Sequence, residues 1–309
     1  MIKKIPIPIA GVMLGFAALG NLLQSYSESI RLICGIISAL LGLLLICKCI
    51  AYPSMIKEDM KNPIMASVSG TFPMALMLLS AYIKPYIGPS AIYIWYLAIG
   101  LHIALIIYFT KEFILKFDMK KVFTSYYIVY VGIVVASVSA PAFEKTNLGT
   151  ILFWFGLISC LILLVVVTNR YVKYKEVPPP AKPLFCIYAA PVSLCLAGYI
   201  QSVETKSVVM IGFLAILSLI IYIVVLCQLP KYLKMPFFPS YATFTFPFVI
   251  SAIGMKMTMA CLGKMGYVVP FINYIVLLQT IIATILVIYT LIRFIMFILP
   301  SKKTELVSQ

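Results

Sequence analysis

The stretch Ile151–Thr168, ILFWFGLISCLILLVVVT, decides the fold class. It is free of charge and close to the ~20 apolar residues that carry a helix across a hydrocarbon core of ~30 Å. A barrel strand would be about 10 residues long and would alternate in polarity, whereas this run is apolar throughout. In hydrocarbon every backbone donor must find its acceptor within the segment, and a helix achieves that.

Working outward, comparable runs fall at 6–24, 30–51, 64–83, 90–110, 122–141, 148–168, 184–202, 207–228, 242–262 and 267–299. The last exceeds one crossing and is expected to tilt, kink or project from the bilayer. The chain of 309 residues is 63% apolar and 11% charged, against about 25% charged in a soluble domain. The expectation is an all-α integral membrane protein with ten transmembrane helices, residues 1–309 forming a single transmembrane domain. The opening Met1-Ile-Lys-Lys has the look of a signal peptide, but Pro6 and Pro8 interrupt the apolar run that follows and no polar domain comes after it. A first span is preferred.

The net charge of +15 does not point to nucleic acid, because the Lys and Arg residues sit between apolar runs rather than along a stripe. Seventeen of them, including Lys48, Arg170, Lys302 and Lys303, fall on the side of Met1. Five, including Arg31 and Lys84, fall on the other. Short basic loops stay inside, so both termini are expected in the cytoplasm, with the protein in a plasma or inner cell membrane. Trp95 and Trp154 then fall near the outer ends of their spans, at headgroup level. The eight cysteines lie in or beside apolar runs, and Cys47 and Cys49 point to different faces of a helix. With one histidine in the chain, they read as packing residues; no metal or cofactor is expected, and no catalytic motif is present.

A period runs through the chain. The odd-numbered spans begin at 6, 64, 122, 184 and 242, in steps of 58, 58, 62 and 58. Thr71-Phe72-Pro73 in span three recurs as Thr245-Phe246-Pro247 in span nine, at an offset of 174. The repeating unit is a helical hairpin used five times. Proline concentrates in the odd spans as Pro8, Pro73, Pro191 and Pro247; span five has only Pro141, at its outer end, so its kink is in question. The odd spans are also rich in small and hydroxyl residues, among them Gly15, Thr245 and Ser251. Prolines free backbone carbonyls that need a partner or water. One reading places the odd helices in an inner ring around a wet path, with the even helices outside; the other is that small residues merely let helices approach.

Ionisable residues within spans reduce to His102, Lys256 and Arg293, and no Asp or Glu lies in a span. A cation path or a carboxylate proton relay would want such acids. Hydroxyls, helix dipoles and basic loops favour anions. Lys256 either raises the potential of an outer vestibule or snorkels to headgroups. Arg293 snorkels or pairs with a headgroup. His102 is a hydrogen-bonded packing residue or a proton relay.

Two stretches carry a resemblance. Ile5-Pro-Ile-Pro-Ile-Ala-Gly-Val-Met-Leu-Gly-Phe resembles the first helix of the tellurite-resistance/dicarboxylate transporter family, and Tyr241-Ala-Thr-Phe-Thr-Phe-Pro is similar to the start of that family's ninth helix. The family includes bacterial TehA and the slow anion channels of plant guard cells, and the hairpin layout extends the likeness over the whole chain. The resemblance implies five hairpins in quasi-five-fold symmetry, odd helices lining a central pore, and a homotrimer with one pore per subunit. It implies a phenylalanine gate at Phe246, with Phe72 as its echo, in a channel for small inorganic or organic anions. The alternative it leaves open is a proton-coupled C4-dicarboxylate carrier, or a tellurite or sulfite exporter.

Overall fold

The computed structural model describes residues 2–299, so Lys302 and Lys303 of the charge count lie outside the described residues. Among the described residues every regular element is helical. The helices that build the packing are α1 (Ile9–Leu23), α2 (Glu28–Ala51), α3 (Thr71–Ile87), α4 (Ala91–Phe109), α5 (Val134–Ser139), α6 (Thr146–Lys173), α7 (Ala190–Ser202), α8 (Val208–Leu233), α9 (Phe246–Lys264) and α10 (Phe271–Ile298). Seven helical stretches are long and apolar enough to cross a membrane, while Ile9–Leu23 and Val134–Phe143 are apolar but shorter. One of the seven, Pro63–Ile114, contains both α3 and α4; Gly88 turns the chain between them with φ +65°, and the two helices pack on each other. Ser27 and Ser207 cap α2 and α8, each side chain accepting a backbone N–H three residues on.

The packing order is cyclic. α1 packs on α3, α3 on α5, α5 on α7, α7 on α9, and α9 returns to α1. The even helices fill the outer grooves: α2 lies against α1 and α3, α6 against α5 and α7, α8 against α7 and α9, and α10 against α9 and α1. Burial follows this arrangement. Within the apolar windows, Pro179–Ser202 is 83% buried and Pro239–Lys264 is 72% buried, against 33% for α2, α6 and α8. The even helices thus expose an apolar face suited to lipid, for example Ile33, Ile36, Leu40 and Leu43 on α2.

Hydrogen bonds between the inner helices carry the sequence period. Ser193 meets Ser251 at a separation of 58 residues, Thr124 donates to the Leu184 carbonyl at 60, Thr243 to Pro183 at 60, and Ser202 to Ser137 at 65. The ring closes through Thr245 to Gly11 and Lys256 to Leu22, both at a separation of 234, or about four hairpins.

Several sequence expectations are corrected. Trp95 is fully buried, not at a lipid headgroup: its Nε1–H donates to Ser139 Oγ at 2.9 Å, and its ring stacks on Phe143. Trp154 does face outward. Lys48 and Arg170 are not loop cations. Lys48 lies buried in the last turn of α2 and donates to the Ile5 carbonyl, and Arg170 lies buried in the last turn of α6. Arg293, half-buried, donates to Tyr289 Oη at 2.9 Å and sits over the rings of Phe237, Tyr241 and Tyr289.

Candidate functional site: two cavities along the ring axis

Four of the odd spans, three to nine, are built in two pieces. A short helical segment leads to a break, and a longer α-helix then starts afresh. The lead-in segments are Pro63–Ser69 before α3, Tyr126–Tyr130 before α5, Pro179–Ala189 before α7 and Pro239–Phe244 before α9. The prolines serve these restarts. Pro191 and Pro247 sit at the first positions of α7 and α9, where a missing N–H costs nothing. Span five breaks without a proline, which settles the question its sequence raised. The Tyr127 carbonyl accepts from both Val131 and Gly132, and the chain resumes with three-residue bonds from Val134, Val135 and Ala136. His102 Nε2, reaching across from α4, donates to the Val129 carbonyl at 2.9 Å. A Cβ at Gly132 would stand 2.1 Å from the Ile128 carbonyl oxygen, so this bend requires glycine.

The breaks surround an inner cavity of about 50 Å³. Gly11 of α1 lines it, with Val68, Thr71 and Met74 of span three and Tyr127, Ile128, Val131 and Gly132 of span five. Ile187, Ala190, Pro191 and Leu194 of span seven and Ala242, Thr243, Phe246 and Pro247 of span nine complete the wall. All five odd spans contribute, and no even helix does. The N-terminal turns of α3, α7 and α9 border the cavity, each presenting the positive end of a helix dipole worth roughly half a charge.

A wider cavity of about 490 Å³ opens on the side of the short hairpin turns. Its wall includes Ala18, Asn21, Gln24, Ser139, Gln201, Ile253 and Lys256, and Arg31 from the start of α2. Lys256 Nζ donates to the Leu22 carbonyl at 2.7 Å and to Ser25 Oγ at 2.6 Å, above the Tyr26 ring. Arg31 is held by Asn21 Oδ1 at 3.3 Å and lies over the Tyr82 ring. Glu28 pairs with Arg31 from the rim.

Phe246 and Leu194 are the side chains shared by the two cavities. Phe246 is 6% exposed and begins α9. Of the other expected site residues, Pro191 and Pro247 line the inner cavity and Lys256 the wider one. Pro8, just before α1, and Gly15 within it are both buried. Thr245 and Ser251 line neither cavity: Thr245 donates to the Gly11 carbonyl at 2.9 Å, and Ser251 to the Ala189 carbonyl at 3.0 Å. His102 is fully buried behind Gly132 and also lines neither.

Two expectations change here. Phe72 is not at the constriction. It lines, with Pro73, a lateral groove against Leu45, Ile46 and Tyr108. Span three turns Thr71 and Met74 inward, and one residue of offset rotates a helical side chain by about 100°. The repeated tripeptide therefore occupies two different faces. The wall is also less hydroxylic than the composition suggested. Thr71 donates to the Val68 carbonyl and Thr243 to the Pro183 carbonyl, so both hydroxyl protons are committed to the broken backbone. Tyr127 is the cavity-lining residue whose buried hydroxyl has no partner among the described residues. Arg31, Leu194 and Tyr127 escape sequence reading because nothing in their local pattern separates them from other residues at span ends or in apolar runs.

A search of curated proteins finds no significant relative. The model of the SLAC1 family, described as voltage-dependent anion channels, matches residues 4–295. Apolar helices, the axial cavities and this match agree: the chain is a multi-pass membrane protein and belongs to the SLAC1 voltage-dependent anion channel family.

Proposed function

We propose that the chain passes small anions along the ring axis, with Phe246 as the gate. The family is one of anion channels and transporters. The observation that carries the gate is the position of Phe246, whose ring stands between two cavities on one axis. An aromatic ring in an apolar neck excludes hydrated ions, and a rotamer change joins the cavities. Helix N-termini around the inner cavity and Lys256 at the wider one, where Arg31 is already paired with Glu28, bias the path toward anions without a fixed charge at the neck. Weak binding of this kind suits conduction.

The same reading assigns ten spans in five hairpins with quasi-five-fold symmetry, both termini in the cytoplasm of a plasma or inner cell membrane, and the wider cavity on the outer side. It also takes a homotrimer with one path per subunit, on the family likeness. The carrier alternative needs a titratable group on the path; His102, its sole intramembrane candidate, lies behind Gly132.

In planar bilayers Phe246→Ala should raise anion current by on the order of tenfold or more, and Leu194→Ala by less. Currents equal to wild type in Phe246→Ala would remove the gate assignment. Reversal potentials in mixed salts identify the permeant ion.

A further inference from the structure

At the face that carries the basic loops, away from the ring axis, a cleft of about 1030 Å³ lies beneath the segment joining α6 to α7. Lys120, Lys121, Lys173, Lys175 and Lys182 line it around Arg170, with Glu176 as the one acid in its wall. Arg170 is 2% exposed. Its guanidinium donates to the carbonyls of Tyr174 at 3.0 Å, Glu176 at 3.3 Å and Lys120 at 3.4 Å, tying the two flanking loops together. The rings of Phe123 and Tyr171 cover its faces, and Nε has no partner. No carboxylate among the described residues pairs with it.

A buried guanidinium held only by carbonyl dipoles is an uncompensated charge, and a buried charge without a counter-charge is costly. Of the five lysines beside it, Lys120, Lys173, Lys175 and Lys182 add to the same potential without an acid partner among the described residues, while Lys121 reaches Asp118 at 3.6 Å. Basic loops as topology signals would account for lysines anywhere on this face, but the neighbouring cavity shows a different pattern. There Glu58, Glu112 and Asp118 accompany Lys61, Lys116 and Lys121, and the charges pair off. Of the two cavities, the Arg170 cleft is the one with an excess of unpaired positive charge. Its volume is that of a small-molecule site, and phosphate oxygens match both a guanidinium and a lysine cluster.

We propose that this cleft binds a ligand carrying several phosphate groups, supplied either by a phospholipid headgroup or by a soluble phosphate ester. The site is separate from the anion path and does not depend on Phe246. The ligand would bridge the loops that Arg170 already ties, at the cytoplasmic end of span six in the orientation proposed above.

The test is calorimetry on the purified chain in detergent, with two probes: inositol hexakisphosphate and a short-chain phosphatidylinositol bisphosphate. One triple variant, Lys120→Ala with Lys173→Ala and Lys175→Ala, thins the cleft and leaves Arg170 in place. A control triple, Lys57→Ala with Lys61→Ala and Lys116→Ala, removes equal charge from outside the cleft, where Lys61 and Lys116 are paired with acids. The cleft triple should weaken binding at least about tenfold, with the control close to wild type. Tighter binding of the lipid probe than of the soluble one assigns a headgroup; equal or weaker binding assigns a free ester. Equal weakening in both triples, or no binding of either probe to wild type, overturns the proposal.

Discussion

Thr245 shows how little freedom single residues have at the neck. It is fully buried, and its hydroxyl serves the carbonyls of Gly11 and Ala242 at 2.9 and 2.7 Å. A Cβ on Gly15 would lie 2.4 Å from Thr245 Cβ, so this glycine lets α1 reach the start of α9, where Phe246 begins. Gly15→Val should cost about 1–3 kcal/mol through overpacking, read as a lower melting temperature in detergent. An unchanged melting temperature would show that the contact relaxes freely. Tyr127 poses the opposite case: the residue lines the cavity, but its hydroxyl is buried with nothing to bond among the described residues. Tyr127→Phe should leave the fold intact, since it removes an unsatisfied buried group. In a Phe246→Ala background it should leave anion current unchanged, because the buried hydroxyl lies on the side of Tyr188 and not on the path. A severalfold lower current without the hydroxyl would place it on the path instead.

Helical elements along the axis owe their geometry to their breaks. Three odd helices restart at or near a proline; span five does so with Gly132 and a side chain borrowed from α4. Because His102 Nε2 faces the Val129 carbonyl, that nitrogen carries the proton, and Nδ1 is left without a partner. The residue acts as a cap for the broken helix. His102→Ala should therefore cost about 1–3 kcal/mol by orphaning a buried carbonyl, and His102→Gln, which retains an N–H donor, should recover part of the loss. Thermal unfolding of the two variants decides this; equal losses would mean that packing volume, not the hydrogen bond, matters.

Over the whole molecule, charge is distributed so that the axis is nearly uncharged while its wide mouth holds Lys256 and Arg31. Such a mouth concentrates anions through a field that salt screens over ~30 Å at 0.01 M and ~3 Å at 1 M. Lys256→Gln should reduce anion current about twofold or more in dilute salt and leave it unchanged near 1 M. A reduction of the same size at both concentrations would point instead to a structural role, through the bonds of Lys256 to Leu22 and Ser25.

By itself the sequence determined the solvent, the element type and the period. Uncharged runs such as Ile151–Thr168 have one stable form in hydrocarbon, and the even spacing of those runs announces a repeated hairpin. Rotation about each helix axis was beyond its reach. Identical Thr-Phe-Pro steps turn Phe246 onto the axis and Phe72 into a side groove, and a tryptophan assigned to the headgroups is buried against Ser139. The location of a break without proline was also decided only in three dimensions, by Gly132 meeting His102 from another hairpin. Hydropathy follows from composition along the chain, whereas helix rotation and breaks follow from contacts between segments 27 or more residues apart, which no local pattern encodes.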